Sequence, residues 1–290
     1  YGRYPNITAD IASCNDLRIN ENAHVTVVVP GQMNLHWNMS GNGKCNATNG
    51  KVSYRGNQTQ TVDANRFEEQ TIFDLNTHNS AGVTCNGALN IKGELTCSQG
   101  SFHTNHQVTL KSNASHTAIV GKCEGTIVGN VTVEQYIPAR RGYRFITSPT
   151  TGGTIRQNWQ ENGNNASGFG THITGQGGAA NGFDPTNTNN ASLYTYNNPA
   201  GSGWITITST NGNLEAGKPY RLMVRGDRTI SMATNTPTPT PTCIRSHGSL
   251  VQGDYNVPDV FQGANGWSLI GNPYAAPVQF DQVLNDAQGV

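Results

Sequence analysis

Six cysteines have the most obvious chemistry in this 290-residue chain: Cys14, Cys45, Cys85, Cys97, Cys123 and Cys243. They form no C-x-x-C pair and have no partner histidines at zinc-finger spacing. An even number of cysteines scattered through β-rich sequence favours disulfides in an oxidising compartment over free buried thiols. The first expected pair is Cys85 with Cys97, which bracket a Gly-rich, hairpin-like stretch, and the second is Cys14 with Cys45.

Catalytic and metal chemistry find little support in the sequence. The chain contains no nucleophile elbow, H-E-x-x-H motif, P-loop or dinucleotide fingerprint. His103 and His106 are close in sequence, but an i, i+3 pair on a strand points to opposite faces, so a shared metal is not expected. Two carboxylate pairs could meet as in a glycosidase, Glu134 with Glu161 or Asp184 with Asp227. Salt bridges explain these carboxylates more simply, with partners among Arg140, Arg144, Arg225 and Arg228.

Tryptophans are the remaining candidates for ligand contact, because an exposed indole face can stack on a sugar ring. Trp204 and Trp267 lie in strand-like patterns and are expected in the core. Trp159 is flanked by the polar residues Arg156, Gln157, Asn158 and Gln160. We therefore take Trp159 as the ligand candidate, and we predict no catalytic residue, no cofactor and no metal.

The elements that would position these residues are predicted to be strands. Charged residues make up 12% of the chain and the formal net charge is zero, so the sequence carries no electrostatic signature of nucleic-acid binding. Gly, Asn, Thr and Ser are abundant while helix-forming residues are scarce, which indicates an all-β fold. No apolar run reaches the length of about 18 residues that a membrane span needs.

Residues 1–128 are predicted to form a β-solenoid-like region. Short strand patterns recur from residue 88 onward, separated by Gly and Asn turns, as expected when each turn buries its apolar row against the next. A meander feeding a sandwich is the alternative. Phe67 to Leu75 could form a short helix, although a β-bridge fits almost as well.

Residues 129–290 are predicted to form a separate, jelly-roll-like β-sandwich. Its strands are expected to include Thr229 to Met232 and Trp267 to Ile270, joined by long polar loops. The loop from residue 162 to residue 190 is poor in apolar residues and is expected to be functional or mobile. The strand pattern ends soon after Val278, so the sandwich is expected to be incomplete at its C-terminal end and open to strand addition.

Several segments occur in the order found in one bacterial family: residues 131–151, 155–161, 170–175, 182–184, 192–196, 216–228 and 269–278. Over roughly residues 120–281 the chain resembles secreted cell-surface proteins of Bacteroidota, of the kind exported by the type IX secretion system. The resemblance implies an extracellular or cell-surface location. Together with the missing motifs, it leads us to expect a non-catalytic structural or adhesion protein.

Two kinds of partner follow from this expectation. The protein would associate with itself or with other surface proteins, at the cell surface or in a filament. The alternative is a carbohydrate-binding accessory region of a secreted polysaccharide-degrading enzyme, with glycans as partners. Neither nucleic acid nor a membrane span is expected.

Overall fold

The computed structural model describes residues 5–258, 260–261 and 263–282. Strands hold 43% of the residues and helices 7%, so the all-β prediction is confirmed. The first part of the chain forms a β-solenoid of about 6 turns. Its strands are β1 (Asn6–Ile7), β2 (Ile11–Cys14), β3 (Leu17–Arg18), β4 (His24–Leu35), β5 (Met39–Ser40), β6 (Lys44–Tyr54), β7 (Gln60–Asp63), β8 (Phe67–His78), β9 (Val83–Asn86), β10 (Leu89–Ile91), β11 (Glu94–Gln99), β12 (Ser101–His103), β13 (Val108–Leu110), β14 (Ile119–Val120), β15 (Thr126–Val128) and β16 (Asn130–Ile137).

Successive turns of the solenoid stack as parallel strands. The order β1-β4-β6-β8-β10-β13-β16 runs along one sheet, to which β11 and β14 also belong, and β7, β9, β12 and β15 form a second sheet. Each turn takes roughly 20 residues. Strands of neighbouring turns lie about 4.8 Å apart.

The register places apolar residues in columns that run along the inside of the solenoid. One column contains Ala47, Ile72, Ile91, Leu110 and Val133. A second contains Met33, Val52, Leu75, Leu95 and Val120. Nearly all of these side chains are buried. Each residue packs on the equivalent residue of the next turn, which explains how such short strands form one continuous core.

Glycine is required at a corner between two turns. Gly100 has φ +73°, and a Cβ at this position would overlap the carbonyl oxygen of Asn79 in the turn before. The amide of Asn79 is buried and donates to the carbonyl of Gln58 at 2.7 Å and to Oε1 of Gln60 at 2.9 Å. The corner therefore satisfies its buried polar groups through side-chain contacts between turns.

Two predictions for this region need correction. Phe67 to Leu75 is not a helix, because it lies within the long strand β8, which pairs with β6, β10 and β11. The solenoid sheet also continues beyond residue 128, where the domain boundary was predicted. Strand β16 pairs with β13 in the register Val108 to Val131, and Val131 lies in the solenoid core.

The second part of the chain continues this sheet and adds another. Its strands are β17 (Gly142–Thr147), β18 (Thr150–Thr151), β19 (Leu193–Tyr196), β20 (Trp204–Thr206), β21 (Pro219–Val224) and β22 (Thr242–Leu250). The described residues include the helical segment α1 (Ile155–Asn158) and the 3-10 turns Ala64–Arg66, Glu161–Gly163, Gly178–Asn181 and Asn198–Ala200. Strand β22 pairs antiparallel with β16 and then with β18, and a four-stranded antiparallel sheet has the order β17-β21-β19-β20.

One face of the four-stranded sheet packs in a second core. Ile146, Leu193 and Leu222 of this sheet share that core with Ile137 of β16 and Ile244 of β22. The jelly-roll prediction is not confirmed, because this sheet packs beside the end of the solenoid sheet. The segments expected as strands at 229–232 and 267–270 have no regular secondary structure. Residues 283–290, in which the predicted sandwich would end, lie outside the described residues.

The predicted disulfides are absent, and all six cysteines are free thiols. Cys85 stacks on Val62 in the β7–β9 ladder, whereas Cys97 pairs with Thr77 in the β8–β11 ladder. Cys14 pairs with Leu35 at one end of β4, and Cys45 pairs with Val25 at the other end. Cys85 and Cys97 therefore belong to different sheets of the solenoid, and Cys14 and Cys45 lie beside opposite ends of β4. Proximity in the sequence did not predict these positions.

The segment from residue 162 to residue 190 enters the second core with its middle part, at residues 171–175 and 182–184. Thr171, Ile173 and Phe183 are buried. Asp184 forms a buried ion pair with Arg228, Oδ1 to Nη2 at 2.8 Å and Oδ2 to Nη1 at 2.9 Å. The polar composition of this segment therefore reflects internal hydrogen bonding. Among the described residues, the structure contains no helix of the length and apolarity that a membrane span needs.

Candidate functional site: an aromatic sheet face beside an arginine recess

The outer face of the four-stranded sheet is covered by aromatic side chains. Alternation along β17 and β19 directs Ile146 and Leu193 inward and the rings outward. Phe145 is 70% exposed, Tyr143 44% and Trp204 37%. We call this surface the aromatic face and define it by Tyr143, Phe145, Tyr194, Tyr196 and Trp204.

Arg221 lies at the centre of the aromatic face. It occupies the outward position between Tyr220 and Leu222 on β21, opposite Phe145 on one side and Tyr194 on the other. Its guanidinium carbon lies 4.2 Å from the ring centre of Trp204, 4.6 Å from that of Tyr143 and 4.7 Å from that of Tyr194. Each such cation–π contact is worth about 0.5–1 kcal/mol at an exposed site.

The rings also hold one another in place. Phe145 and Trp204 are stacked, with ring centres 6.0 Å apart and an interplanar angle of 16°. Tyr196 packs edge-on against Trp204 at 5.3 Å, and Tyr143 packs against Tyr194 at 6.2 Å. Rings fixed in this way lose little further conformational entropy when a ligand stacks on them.

A recess adjoins the aromatic face at Tyr143. It has a volume of about 350 Å³, and its lining includes Tyr143, Met223, Arg141 and Arg225. The rest of its wall is mostly hydroxyl and amide side chains: Thr174, Thr186, Asn187, Thr188, Asn190, Ser192, Thr234 and Asn235. We call it the arginine recess. Because Met223 stands opposite Tyr143, the aromatic face and the recess form one continuous surface.

The arginines of this surface have no carboxylate partner within the described residues. Arg141 donates to Asn235, through Nη1 to the backbone carbonyl and through Nη2 to Oδ1 at 3.0 Å. Nε of Arg221 and Nη1 of Arg225 are buried without an acceptor. The salt bridges expected for Arg140, Arg144 and Arg225 are therefore wrong, and of the four named arginines only Arg228 forms one.

The carboxylates are engaged elsewhere. Glu134 pairs with Lys111 at 2.6 Å, Glu161 pairs with Arg245, and Glu215 pairs with Lys218 at 2.7 Å. Asp227 accepts a hydrogen bond from the backbone N–H of Gly168 at 2.6 Å. This distribution leaves the surface locally positive although the whole chain is neutral.

The pKa of Arg225 shows the same charge distribution. Burial lowers the pKa of this guanidinium from its ordinary value, and the positive charge of Arg141 lowers it further. The charges of Tyr143 and Asp184 act in the opposite direction without cancelling the shift. The side chain remains a cation at neutral pH, since an arginine pKa lies far above 7. Two cations therefore face the same recess.

The tryptophans occupy positions opposite to those expected. Trp159 is 0% exposed, packs edge-on against Tyr220 and donates its indole N–H to Oγ of Ser246 at 3.2 Å. It cannot stack on a ligand, and its prediction as the ligand residue was wrong. Trp267 is 80% exposed, and Trp204 belongs to the aromatic face.

The polar neighbours of Trp159 misled because they cap a helix that ends in the core. Gln157 and Thr154 form a capping box at α1, and Asn158 holds the backbone of the turn. A usable signal was present in the alternating aromatics Tyr143-x-Phe145 and Tyr194-x-Tyr196. The opposite face of the first strand carries Ile146 and that of the second carries Leu193, so both faces of each strand carry bulky or apolar residues.

The other candidate residues do not assemble into a site. His103 lies 3.1 Å from the hydroxyl of Ser101, and Nδ1 of His106 accepts from the backbone N–H of Asn130 at 3.1 Å. Within the part of the chain that the structure describes, no three His, Cys, Asp or Glu side chains are grouped to hold a metal.

Comparison with protein-family models, with curated proteins and with solved structures finds no match to this chain.

Proposed function

We propose that this chain is a non-catalytic binding part of an extracellular adhesion protein, and that its aromatic face binds carbohydrate. The observation that carries the proposal is the set of exposed rings around Arg221, on a sheet whose opposite side packs in the second core. An aromatic ring offers a broad apolar surface to the C–H face of a pyranose, while the sugar hydroxyls remain free to bond elsewhere.

The composition of the surface supports a sugar over an apolar protein partner. The outward side chains beside the rings include Thr206 and Arg221, and the adjoining recess is lined by Asn, Thr and Ser. Amides and hydroxyls both donate and accept, which matches the hydroxyl groups around a sugar ring. An interface for an apolar protein segment would need more aliphatic area than Met223 and Pro219 provide.

The solenoid fits the same function as a rigid spacer. Its stacked turns share one core and end at β16, where β22 joins the sheet that carries them. The extracellular or cell-surface location remains a proposal that rests on the resemblance to Bacteroidota secreted proteins. Because all six cysteines are free thiols, they give no support for an oxidising compartment.

The test is a binding screen of the full chain against a polysaccharide panel, followed by calorimetric titration of the best ligand. Trp204→Ala should weaken binding at least tenfold, because it removes one ring and part of the support of Phe145 and Tyr196. Trp37→Ala is the matched control, since Trp37 is similarly exposed but lies on the solenoid.

Two outcomes would overturn the proposal. One is the absence of binding to any member of the panel. The other is an equal loss in Trp204→Ala and Trp37→Ala, which would mean that the contact is not specific to the aromatic face.

Self-association is a second candidate, favoured by strand β20. This strand forms the edge of the four-stranded sheet, and all three of its residues are exposed. An edge strand can pair with a strand of another copy. Light scattering of the chain at rising concentration tests this candidate, with Thr206→Pro as the blocking variant. The N–H of Ile207 donates to the carbonyl of Leu193, so the neighbouring N–H of Thr206 points to the free side of β20. Proline at this position cannot donate to a strand of another copy.

A further inference from the structure

We propose that the ligand of this surface is an anionic polysaccharide, whose carboxylate or sulfate groups are bound at the arginine recess while its rings stack on the aromatic face. The proposal rests on the proposed carbohydrate binding and adds the charge of the ligand. It is carried by the placement of Arg141, Arg221 and Arg225 along one surface.

Strand β21 sets the geometry of this surface. Arg221, Met223 and Arg225 follow one another at every second position from β21 onward. Arg221 and Arg225 are therefore about 13 Å apart along the chain direction. A ligand lying along β21 would contact the rings around Arg221 at one end and the recess at the other, so more than one sugar ring would be engaged.

The charge balance favours an anion. Two cations share the recess, and neither has a carboxylate within salt-bridge distance among the described residues. A buried donor without an acceptor loses its bonds to water and gains none in return. An anion beside Arg141 and Arg225 reduces the repulsion between the two guanidinium groups and offsets part of their desolvation. Binding is therefore favoured at a place where the free protein has two charges without a carboxylate partner.

The arginine side chain also suits the ligand. A guanidinium presents a planar fork of donors that matches a carboxylate or a sulfate, whereas an ammonium acts as a point charge. Among the described residues, none of those that line the recess is a lysine. Nucleic acid is the rival polyanion, because it too combines stacking with phosphate contacts. The amide and hydroxyl lining of the recess favours a ligand that is rich in hydroxyl groups.

The experiment compares each acidic polysaccharide with its neutral derivative on the full chain. Polygalacturonate, alginate and hyaluronate are titrated beside their methyl-esterified forms at low salt, and dextran sulfate is titrated beside dextran. At least one acidic form should bind tenfold or more tightly than its partner. Because exposed charges are screened by salt, this preference should shrink at high ionic strength.

Variants assign the preference to the recess. Arg141→Gln combined with Arg225→Gln should abolish the preference for the acidic form while binding of the neutral form is kept. Arg18→Gln combined with Lys122→Gln removes the same charge from exposed positions on the solenoid and should keep the preference. Thermal unfolding of each variant checks that the fold is intact.

Three results would overturn the anionic assignment. Equal binding of acidic and neutral forms would leave carbohydrate binding in place but show that the arginines do not select charge. Equal loss in the two double variants would indicate a general charge effect. Binding of a single-stranded oligonucleotide as tightly as the best polysaccharide would identify nucleic acid as the better ligand. Failure of every acidic and every neutral form would instead reject the proposed function itself.

Discussion

Replacing Asp184 by Asn should destabilise the second core strongly. Oδ1 of Asp184 accepts from Nη2 of Arg228, and Oδ2 accepts from Nη1 of Arg228, Nε2 of Gln160 and the backbone N–H of Ile173, all at 2.8–3.0 Å. The side chain of Arg228 is 2% exposed. An asparagine has a single amide oxygen, so its NH₂ group would have to face one of these donors.

The expected loss follows from the uncompensated charge. Breaking a buried ion pair by removing one partner costs about 3–5 kcal/mol, because the other charge stays buried. Arg228 would keep its hydrogen bonds to the carbonyls of Asn164 and Thr171, so the lower half of this range is expected. Glu215→Gln is the matched control, since the exposed pair Glu215–Lys218 contributes at most about 1 kcal/mol.

Urea unfolding followed by fluorescence measures the loss, because Trp159 is buried in the same core. The reasoning would be refuted by a loss of less than about 1 kcal/mol in Asp184→Asn, or by an equal loss in Glu215→Gln. Either result would mean that the ion pair is not desolvated as the structure shows.

The pH dependence tests the same group independently. Burial alone would raise the pKa of Asp184, but its contacts with His172, Arg228 and Gln160 and the charge of Arg228 outweigh burial and lower it below the ordinary value. The stabilisation by Asp184 is therefore fully present above about pH 4 and is lost as the pH falls towards the lowered folded-state pKa. The difference in stability between wild type and Asp184→Asn should shrink on acidification, and a constant difference would contradict this sign.

Two further predictions concern the solenoid. Leu95→Ala should cost about 2–5 kcal/mol in urea unfolding, because Leu95 is buried between Leu75 and Val120 of the neighbouring turns; the exposed Val128→Ala should cost less than about 0.5 kcal/mol, and a similar cost for both would argue against the stacked core. Burial, aided by Glu68 for Cys45 and by Asp63 for Cys85, raises the pKa of both thiols to about 12, so both should resist iodoacetamide in the folded protein at pH 8 and react in urea. Rapid labelling of either thiol before unfolding would contradict this placement.

The solenoid was predictable because its signal is local. Short strands separated by Gly and Asn turns repeat along residues 88–133, and an inward position in one turn is apolar in the next, as at Ile91 and Leu110. The helix expected at Phe67 to Leu75 did not form, because a nine-residue segment with four apolar residues fits a helical or an extended period about equally. The segment is a strand because it pairs with β6 on one side and with β10 and β11 on the other.

The functional surface was much harder to predict, because burial depends on how the two sheets meet. Trp159 has polar neighbours and Trp204 stands in a strand-like pattern, yet Trp159 packs against Tyr220 in the core and Trp204 lies on the surface. Arg221 and Arg225 read as ordinary alternating polar residues of a strand. Only the assembled sheet shows that Tyr143, on a strand about 80 residues earlier, lies beside both arginines.

The sequence by itself determined the all-β class and the stacked turns, because hydrophobic period and turn residues act within a few positions of one another. The tertiary structure decided the state of the cysteines, the partners of the carboxylates and the exposure of each tryptophan, because these depend on contacts between residues that are far apart in the chain. Both halves of the proposed binding surface belong to this second group. They exist only because β17, β19 and β21 pair with their apolar sides packed in the second core beside the solenoid sheet.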